Sequence, residues 1–205
     1  LRICCIPNFA PPVKGSLPST CRSNQPYFVY VGVLERRKGL VPFLTRYAAW
    51  TVQRDIQLRL IGTGSLRHRI AEFIRKNEME QRICMLGRVS SGELCRQVSG
   101  ALGVVLPAIW PENAPLAVLE SLSLGTPVIG SDLGGLPEII TRVDPRLLFS
   151  WHEPRGVEAA LEYLMERREQ LRDSARNASK YFSSEMYMER YFDLIGLNKR
   201  AGIAV

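Results

Sequence analysis

Histidine is scarce in this 205-residue sequence, and the cysteines are not grouped. The two histidines, His68 and His152, lie far apart among polar residues, which favours solvated surface positions over a catalytic role. The five cysteines are odd in number, and neither a CxxC pair nor a Cys/His cluster offers metal-ligand spacing. We therefore expect no bound metal ion, and a reducing, cytoplasmic setting.

Long hydrophobic runs are also missing. The longest apolar stretch, residues 101–109, is about half of the roughly 20 residues that a membrane-spanning helix needs. The opening LRICCIP has neither the basic region nor the long apolar core of a secretory signal. It starts at Leu1 rather than at a methionine, so we expect a fragment of a longer protein.

The basic residues are not collected in one arm or stripe. A formal net charge of +7 permits an anionic ligand, or peripheral association of the full-length protein with an anionic membrane. Scattered cations do not form the footprint of a nucleic-acid-binding protein, so we expect no nucleic acid partner. The hydrophobic share of 46% and the charged share of 23% are ordinary for a globular domain.

Composition divides the chain into three parts. Residues 7–26 are rich in Pro, Ser and Asn, which predicts a linker or interdomain segment over residues 1–26. Residues 27–182 are predicted to form one folded domain, and residues 183–205 a C-terminal helix.

The C-terminal helix carries an apolar stripe. Its members recur at spacings of three and four: Met186, Tyr187, Tyr191, Leu194 and Ile195. We expect this stripe to pack on a surface outside residues 27–182.

Short apolar runs alternate with helical patterns of roughly ten residues between residues 27 and 150. The runs are YFVYVGVL, IQLRLIG, RICMLG, ALGVVLP, TPVIGS and LLFS. Helical patterns fill the intervals, at residues 39–54, 65–77, 91–100, 116–124 and 136–140. This alternation predicts βαβ units and an α/β fold with a Rossmann-like, doubly wound parallel sheet. The segments 155–182 and 183–195 are predicted to be helical.

The turns that follow the strands are the places to look for a ligand, because an open parallel sheet binds at the carboxyl ends of its strands. There GVLERRKG places Arg36, Arg37 and Lys38, which would either meet a phosphate group or form only a solvated helix start. The later GTGSLR has Arg67 where a dinucleotide fingerprint has its third glycine, and no P-loop motif is present. A dinucleotide cofactor and P-loop chemistry are therefore unsupported.

Two acids bracket an otherwise apolar helix in WPENAPLAVLESLSLG. Glu112 precedes Pro115, which is predicted as the first helical residue, and Glu120 follows about one and a half turns in. Eight residues at about 1.5 Å each would span roughly 12 Å, comparable to the reach from a sugar across a diphosphate to a ribose. Two carboxylates so placed would hold vicinal hydroxyls at both ends of a nucleotide sugar. The alternative is that Glu112 only favours the helix dipole and that Glu120 is a surface residue.

Together these motifs resemble the C-terminal donor-binding domain of retaining glycosyltransferases of family four, which have the GT-B fold. The resemblance is carried by the E-x7-E pair of Glu112 and Glu120, the following SLSLGTPVIGSDLGGLPEII, the VGVLERRKGL turn, and the LIGTG and MLGRV strand ends. It also includes the PN of the linker and the terminal aromatic helix, so it covers nearly the whole chain. It implies a single Rossmann-like domain whose N-terminal, acceptor-binding partner domain is absent.

The resemblance also implies roles for individual residues. Glu112 would be catalytic, since it would bind hydroxyls of the donor sugar and stabilise charge near the anomeric centre. Glu120 would hold the ribose hydroxyls, and Lys38 would contact the diphosphate. The implied donor-binding set is Gly32, Arg37, Lys38, Gly87, Arg88, Val89, Asn113, Ala114, Pro115, Leu116 and Glu120.

Two positions depart from the family pattern. Val33 stands where the family has an arginine, and ENAP replaces E-G-F-G, so that Pro115 removes one amide donor. Arg36 or Arg37 would have to supply the missing cation.

The implied activity is transfer of a hexose-type sugar from a nucleoside diphosphate to an acceptor hydroxyl with retention of configuration, in polysaccharide or glycolipid assembly. No cofactor and no metal are implied, because cations and a helix end would hold the departing charge. The isolated chain is expected to bind a nucleotide sugar and to transfer nothing. Two alternatives stay open: a nucleotide-sugar epimerase or phosphorylase of the same fold, and a non-catalytic binding or assembly module, with which the changes at Val33 and Pro115 are compatible.

Overall fold

A six-stranded parallel sheet organises the protein. The computed structural model describes residues 6–10 and 25–196. The strands are β1 (Tyr27–Val31), β2 (Gln57–Ile61), β3 (Ile83–Gly87), β4 (Val104–Leu106), β5 (Val128–Ser131) and β6 (Leu148–Phe149). Their order in the sheet is β3-β2-β1-β4-β5-β6, and each neighbouring pair is parallel. The predicted α/β fold is confirmed, with a strand inside each of the six predicted runs.

Helices connect and flank the strands. They are α1 (Leu40–Thr51), α2 (Arg67–Lys76), α3 (Ser91–Gly100), α4 (Leu116–Ser123), α5 (Leu136–Ile140), α6 (Gly156–Glu166), α7 (Arg168–Tyr181) and α8 (Ser184–Leu194). Single 3₁₀ turns lie at Arg36–Lys38 and Pro145–Leu147.

The burial of the strands explains why most of them are unbroken apolar runs in the sequence. In β1, Phe28, Val29 and Tyr30 are all buried, because helices cover both faces of a parallel sheet. Helix α1 instead buries residues at helical spacing, among them Leu40, Phe43, Leu44 and Tyr47. The two periodicities therefore distinguish the elements in this chain.

The long C-terminal helical segment is two helices and not one. Arg167 separates α6 from α7, with backbone angles of φ −115° and ψ 19° that leave the helical region. Helix α6 packs on α1, whereas α7 packs on α4. A straight helix over residues 155–182 could not reach both surfaces, and the hydrophobic pattern alone does not reveal the break.

Residues 6–10 contact α8 and the end of α7. The rings of Phe9 and Tyr187 lie 4.9 Å apart, and the N–H of Ala10 donates to the carbonyl of Phe182 at 3.0 Å. No residue of α8 is fully buried. Of the predicted stripe, the exposed members are Tyr191, Leu194 and Ile195. Its partner surface stays a prediction, and residues 197–205 lie outside the described part of the chain.

Asp144 ties the 3₁₀ turn Pro145–Leu147 to α6. It accepts hydrogen bonds from the guanidinium and backbone N–H of Arg146 and from the hydroxyl of Tyr163. The hydrogen bonds from the Arg146 side chain, more than any other contact, lower the pKa of Asp144 to about 2.

We expect Asp144→Ala to lower the free energy of unfolding by about 1 kcal/mol, the usual loss when a capping side chain is removed. Because the folded-state pKa lies below the unfolded one, this contribution is complete above the ordinary Asp pKa of about 4 and disappears as the pH falls to about 2. Urea titrations of both proteins between pH 7 and pH 2 measure the difference. A gap that stays constant down to pH 2 would contradict the assignment.

Candidate functional site

The strand order creates a crevice between β1 and β4. The chain runs from β1 outwards through β2 to β3, returns to β4 on the other side of β1, and continues outwards to β6. The helices after β1 and after β4 therefore diverge, and ligands of such sheets bind at the carboxyl ends of these two strands.

An ion pair bridges this crevice. Lys38, after β1, donates from Nζ to Oε1 of Glu112, after β4, at 2.7 Å. Their side chains are only 15% and 16% exposed. Two residues of the predicted site, 74 positions apart in the sequence, are thereby brought together. A lysine cation and a carboxylate so placed offer one group for an anion and one for hydroxyls.

The turn that carries Lys38 is held from both sides. It ends at Gly39, whose φ of 66° lies in the left-handed region that glycine adopts readily. A Cβ at Gly39 would clash with the carbonyl oxygen of Pro107. The N–H of Ile109 donates to the carbonyl of Arg37 at 3.0 Å. The loops after β1 and β4 are therefore fixed against each other before any ligand arrives.

The loop that carries Glu112 rests on a pair of glycines after β5. Glu112 forms an isolated parallel bridge with Gly134, and the N–H of Gly135 donates to the Glu112 carbonyl at 2.6 Å. A Cβ on Gly135 would clash with the carbonyl oxygen of Asn113. The GG of GGLPE is therefore needed for close approach of two backbones, a reason that no local pattern predicts.

Tyr30 holds the loop after β1 through a hydrogen bond. Its hydroxyl donates to the carbonyl of Val33 at 2.8 Å. Burial raises the pKa of Tyr30, and the negative charges of Glu112 and Glu35 raise it further. The hydroxyl thus stays protonated and keeps its hydrogen bond throughout the physiological pH range. Sequence reasoning missed this residue, since a tyrosine in a buried strand is most often only core.

We expect Tyr30→Phe to lower stability by about 1 kcal/mol and to weaken ligand binding at Lys38 several-fold, because the Val33 carbonyl loses its donor and the turn loosens. Thermal denaturation and a nucleotide titration would measure the two effects. A matched control is Tyr163→Phe, which removes the hydroxyl bonded to Asp144, away from the crevice. If both variants bound equally well, Tyr30 would be a core residue only.

Glu120 lies half-buried on α4. Burial raises its pKa, and among the described residues no side chain or backbone donor is recorded for its carboxylate. An acid kept partly out of water without a partner is costly unless a ligand supplies donors.

Pro115 is the N-cap of α4 and not its first helical residue. Its backbone angles are φ −65° and ψ 124°, and its carbonyl accepts the N–H of Val118 at 3.0 Å. The leading N–H groups of the helix therefore belong to Leu116 and Ala117, which have no partner within the helix. The missing N–H of Pro115 lies outside the helix, so this replacement leaves the helix dipole intact.

The remaining predicted residues are spread along the same edge of the sheet. The N–H of Gly32 is already bonded to Ile61 at 3.0 Å, and Arg37 forms an exposed pair with Glu35 at 2.8 Å. At the end of β3, Gly87 adopts φ 67°, and its carbonyl accepts the N–H of Gly62 at 2.8 Å. Arg88 is exposed and Val89 packs on the core. These three lie two strands away from the Lys38–Glu112 pair.

A cavity of about 610 Å³ opens beside the Glu112 loop. Its lining includes Asn113 and Ala114 from that loop, and Gly134 and Gly135 from the glycine pair. Pro7 and Asn8 also line it. Asn113 and Ala114 therefore line an open space, as residues in contact with a ligand would.

Large exposed hydrophobic side chains lie in the segments that carry Lys38 and Glu112. Trp110 is 64% exposed, and the others are Val33 and Ile109 in the loops and Leu116 at the start of α4. The sequence places Trp110 two residues before Glu112, but only the fold shows that its ring is outside the core. Exposed apolar side chains in the same loops as charged groups suit a ligand with both apolar and hydroxylated faces.

Residues 6–10 and 25–196 bear on the expectations about a metal ion and a membrane span. No group of three His, Cys, Asp or Glu side chains there could hold a metal ion. Cys84 and Cys95 are free thiols, and the other cysteines lie outside these ranges. In the same residues, no helix is long and apolar enough to span a bilayer.

The chain is similar to known sugar-transferring proteins. A family model described as glycosyl transferases group 1 matches residues 18–181. The α-maltose-1-phosphate synthase of Mycobacterium tuberculosis is 31% identical over 123 residues, which make up 57% of this chain and 31% of that protein. The N-acetyl-α-D-glucosaminyl L-malate synthase of Bacillus anthracis is 22% identical over 172 residues, 82% of this chain and 44% of that protein.

Solved structures show the same fold. HepE from Anabaena, determined in complex with UDP, superposes with a TM-score of 0.73 at 16% identity, over 85% of this chain and 49% of that one. The chain thus spans between 31% and 49% of the length of these three proteins. Since the family model covers most of the described sheet and its flanking helices, the predicted resemblance is confirmed, and the chain belongs to the glycosyl transferases group 1 family.

Proposed function

We propose that this chain is the donor-binding part of a retaining glycosyltransferase, which holds a nucleoside-diphosphate sugar in the crevice between β1 and β4. The observation that carries the proposal is the Lys38–Glu112 pair at that crevice, together with the half-buried carboxylate of Glu120 on α4, which has no partner among the described residues. A cation paired with one acid, and a second acid on the adjoining helix, match a ligand in which a diphosphate lies between two hydroxylated rings.

Each end of the ligand has a group suited to it. Lys38 and the leading N–H groups of α4 attract the diphosphate, since both a lysine and a helix N-terminus favour anions. Glu112 accepts hydrogen bonds from hydroxyls of the transferred sugar. Glu120 accepts hydrogen bonds from the ribose, and the turn at residues 87–89 after β3 lies next to the base.

Transfer breaks the bond between the anomeric carbon and the phosphate oxygen and forms a bond to an acceptor oxygen on the same face. Positive charge builds on the sugar ring as the old bond lengthens, and the carboxylate of Glu112 stabilises it. Lys38 stabilises the negative charge that builds on the departing phosphate. The proton of the acceptor hydroxyl passes to the phosphate oxygen that leaves, which is on the same face. No metal ion is required for these steps.

The rest of the whole protein would complete the binding site for the acceptor. Because the chain spans less than half the length of the three proteins named above, we expect it to bind the donor and not to transfer the sugar alone. The exposed ring of Trp110 suits a saccharide acceptor, whose C–H faces pack on an indole, so a growing glycan or a glycolipid is the proposed acceptor class.

Calorimetric titration of the chain with UDP, GDP and ADP, and with sugar derivatives of each, tests the proposal. We expect saturable one-to-one binding for nucleotides of a single base, with no turnover of the sugar derivative. Binding of none of them at millimolar concentration would refute it. Release of a free, altered nucleotide sugar would favour an epimerase instead.

A further inference from the structure

We propose that the Lys38–Glu112 ion pair makes the site discriminate between the intact nucleotide sugar and the free nucleoside diphosphate left after transfer. This inference rests on the proposed donor-binding function. It concerns a specificity-determining action of Glu112 on the diphosphate end of the ligand, in addition to its contact with the sugar.

The ion pair is closed in the unliganded protein. Lys38 Nζ and Glu112 Oε1 are 2.7 Å apart, and each side chain is largely removed from water. In residues 6–10 and 25–196, neither side chain has another recorded polar partner. Two neighbouring side chains are already bonded to other groups. Glu35 pairs with Arg37, and the Tyr30 hydroxyl donates to the Val33 carbonyl.

A diphosphate that binds Lys38 competes with Glu112 for the lysine charge. The ammonium group has three N–H donors, of which Glu112 accepts one, so the phosphates either replace the carboxylate or lie beside it. In either arrangement Glu112 loses all or part of its interaction with Lys38, and its carboxylate lies beside a ligand of the same charge at a position 16% exposed. A partly buried charge without a partner is costly, and a like charge nearby raises the cost. The free nucleoside diphosphate brings nothing to compensate Glu112.

The nucleotide sugar carries its own compensation. Its hydroxyls donate hydrogen bonds to the carboxylate that Lys38 has released, and bonds to a charged acceptor are among the stronger ones. The intact donor thus exchanges one partner of Glu112 for another. After transfer the sugar is gone, Glu112 pairs with Lys38 again, and the nucleoside diphosphate is expelled.

The test is Glu112→Gln, which removes the competing charge and keeps the side-chain size. We expect the Kd of the free nucleoside diphosphate to fall about tenfold, equivalent to about 1.4 kcal/mol. The nucleotide sugar loses its charged acceptor, so its Kd should not fall. The Kd of the free nucleoside diphosphate divided by the Kd of the nucleotide sugar should therefore decrease at least tenfold. Calorimetry with UDP and UDP-glucose, or with the corresponding pair for the base that binds, measures both constants.

Glu35→Gln is the control, since it removes an exposed acid from the same turn. It should shift both Kd values together and leave their ratio within about threefold, because a general charge effect acts on both ligands. Glu112→Ala removes the same competitor by a different change and should also tighten binding of the free diphosphate. Its Kd for the free diphosphate tests the inference independently if the glutamine variant folds poorly.

The outcomes separate the inference from the proposed function. If the wild-type chain binds the diphosphate and both Glu112 variants bind it equally or more weakly, the inference is wrong and the donor site stands. If the wild-type chain binds neither ligand, the donor site itself is wrong.

Discussion

Lys38→Met should raise the Kd for the nucleoside diphosphate by roughly 100-fold or more, since a charge-assisted contact in a partly desolvated crevice contributes about 3 kcal/mol. The variant also leaves Glu112 unpaired beside the bound phosphates, which adds repulsion to the lost attraction. Calorimetry with the nucleotide that the wild-type chain binds would measure the change.

Lys76→Met is the matched control for this prediction. Lys76 lies on the surface at the end of α2, with a side chain 64% exposed and paired with Glu72 at 2.8 Å. Exposed pairs of this kind contribute little, so binding should stay within about twofold of wild type. Equal losses in the two lysine variants would show that Lys38 acts only through the net charge of the chain.

A double variant separates binding from folding. Lys38→Met alone should also reduce the free energy of unfolding, because it leaves a carboxylate without its partner in the crevice. Adding Glu112→Gln should restore most of that stability without restoring the lost lysine contact to the phosphates. If the double variant were as unstable as the single one, the pair would not be the source of the effect.

Glu120→Gln should abolish the preference of the site for a ribose. We expect the wild-type chain to bind the ribonucleoside diphosphate at least tenfold more tightly than its 2′-deoxy form, since a hydrogen bond to a charged acceptor contributes roughly 1.5–3 kcal/mol. The variant should bind the ribonucleotide about as weakly as the deoxynucleotide. Competition binding with the two nucleotides gives both constants.

The stability of the Glu120→Gln variant should not fall along with its nucleotide binding. Burial raises the pKa of Glu120, so the folded state holds the proton more tightly than the unfolded state does. The stability from this group is therefore present at low pH and is lost as the pH rises above the unfolded value. At neutral pH, Glu120→Gln should melt no lower than wild type although its binding of the ribonucleotide is weakened. Glu166→Gln, on the exposed end of α6, should change neither property.

The fold was predictable because local pattern and global architecture agree. The strands of a parallel sheet are buried on both faces, so β1 and β4 are visible as apolar runs between helical patterns. The ends of the strands were less predictable. TPVIGS and ALGVVLP shorten to Val128–Ser131 and Val104–Leu106, because loop residues before each strand are buried as deeply as the strand itself.

The site was predictable in its residues more than in its contacts. Lys38 and Glu112 were assigned to the site by resemblance, yet their ion pair depends on β4 lying next to β1, which no local pattern specifies. The support from Tyr30 and from Gly135 likewise arises from segments distant in the sequence or from an unremarkable buried position. The E-x7-E spacing also overstates the helical reach, because α4 begins only at Leu116.

The most direct test of the central claim is a crystal structure of the chain with the nucleotide sugar that binds it most tightly. The account predicts the diphosphate within hydrogen-bonding distance of Lys38 Nζ, the ribose hydroxyls on Glu120, and the sugar hydroxyls on a Glu112 that has left Lys38. A nucleotide bound elsewhere, or one bound in the crevice with the Lys38–Glu112 pair still closed, would contradict it.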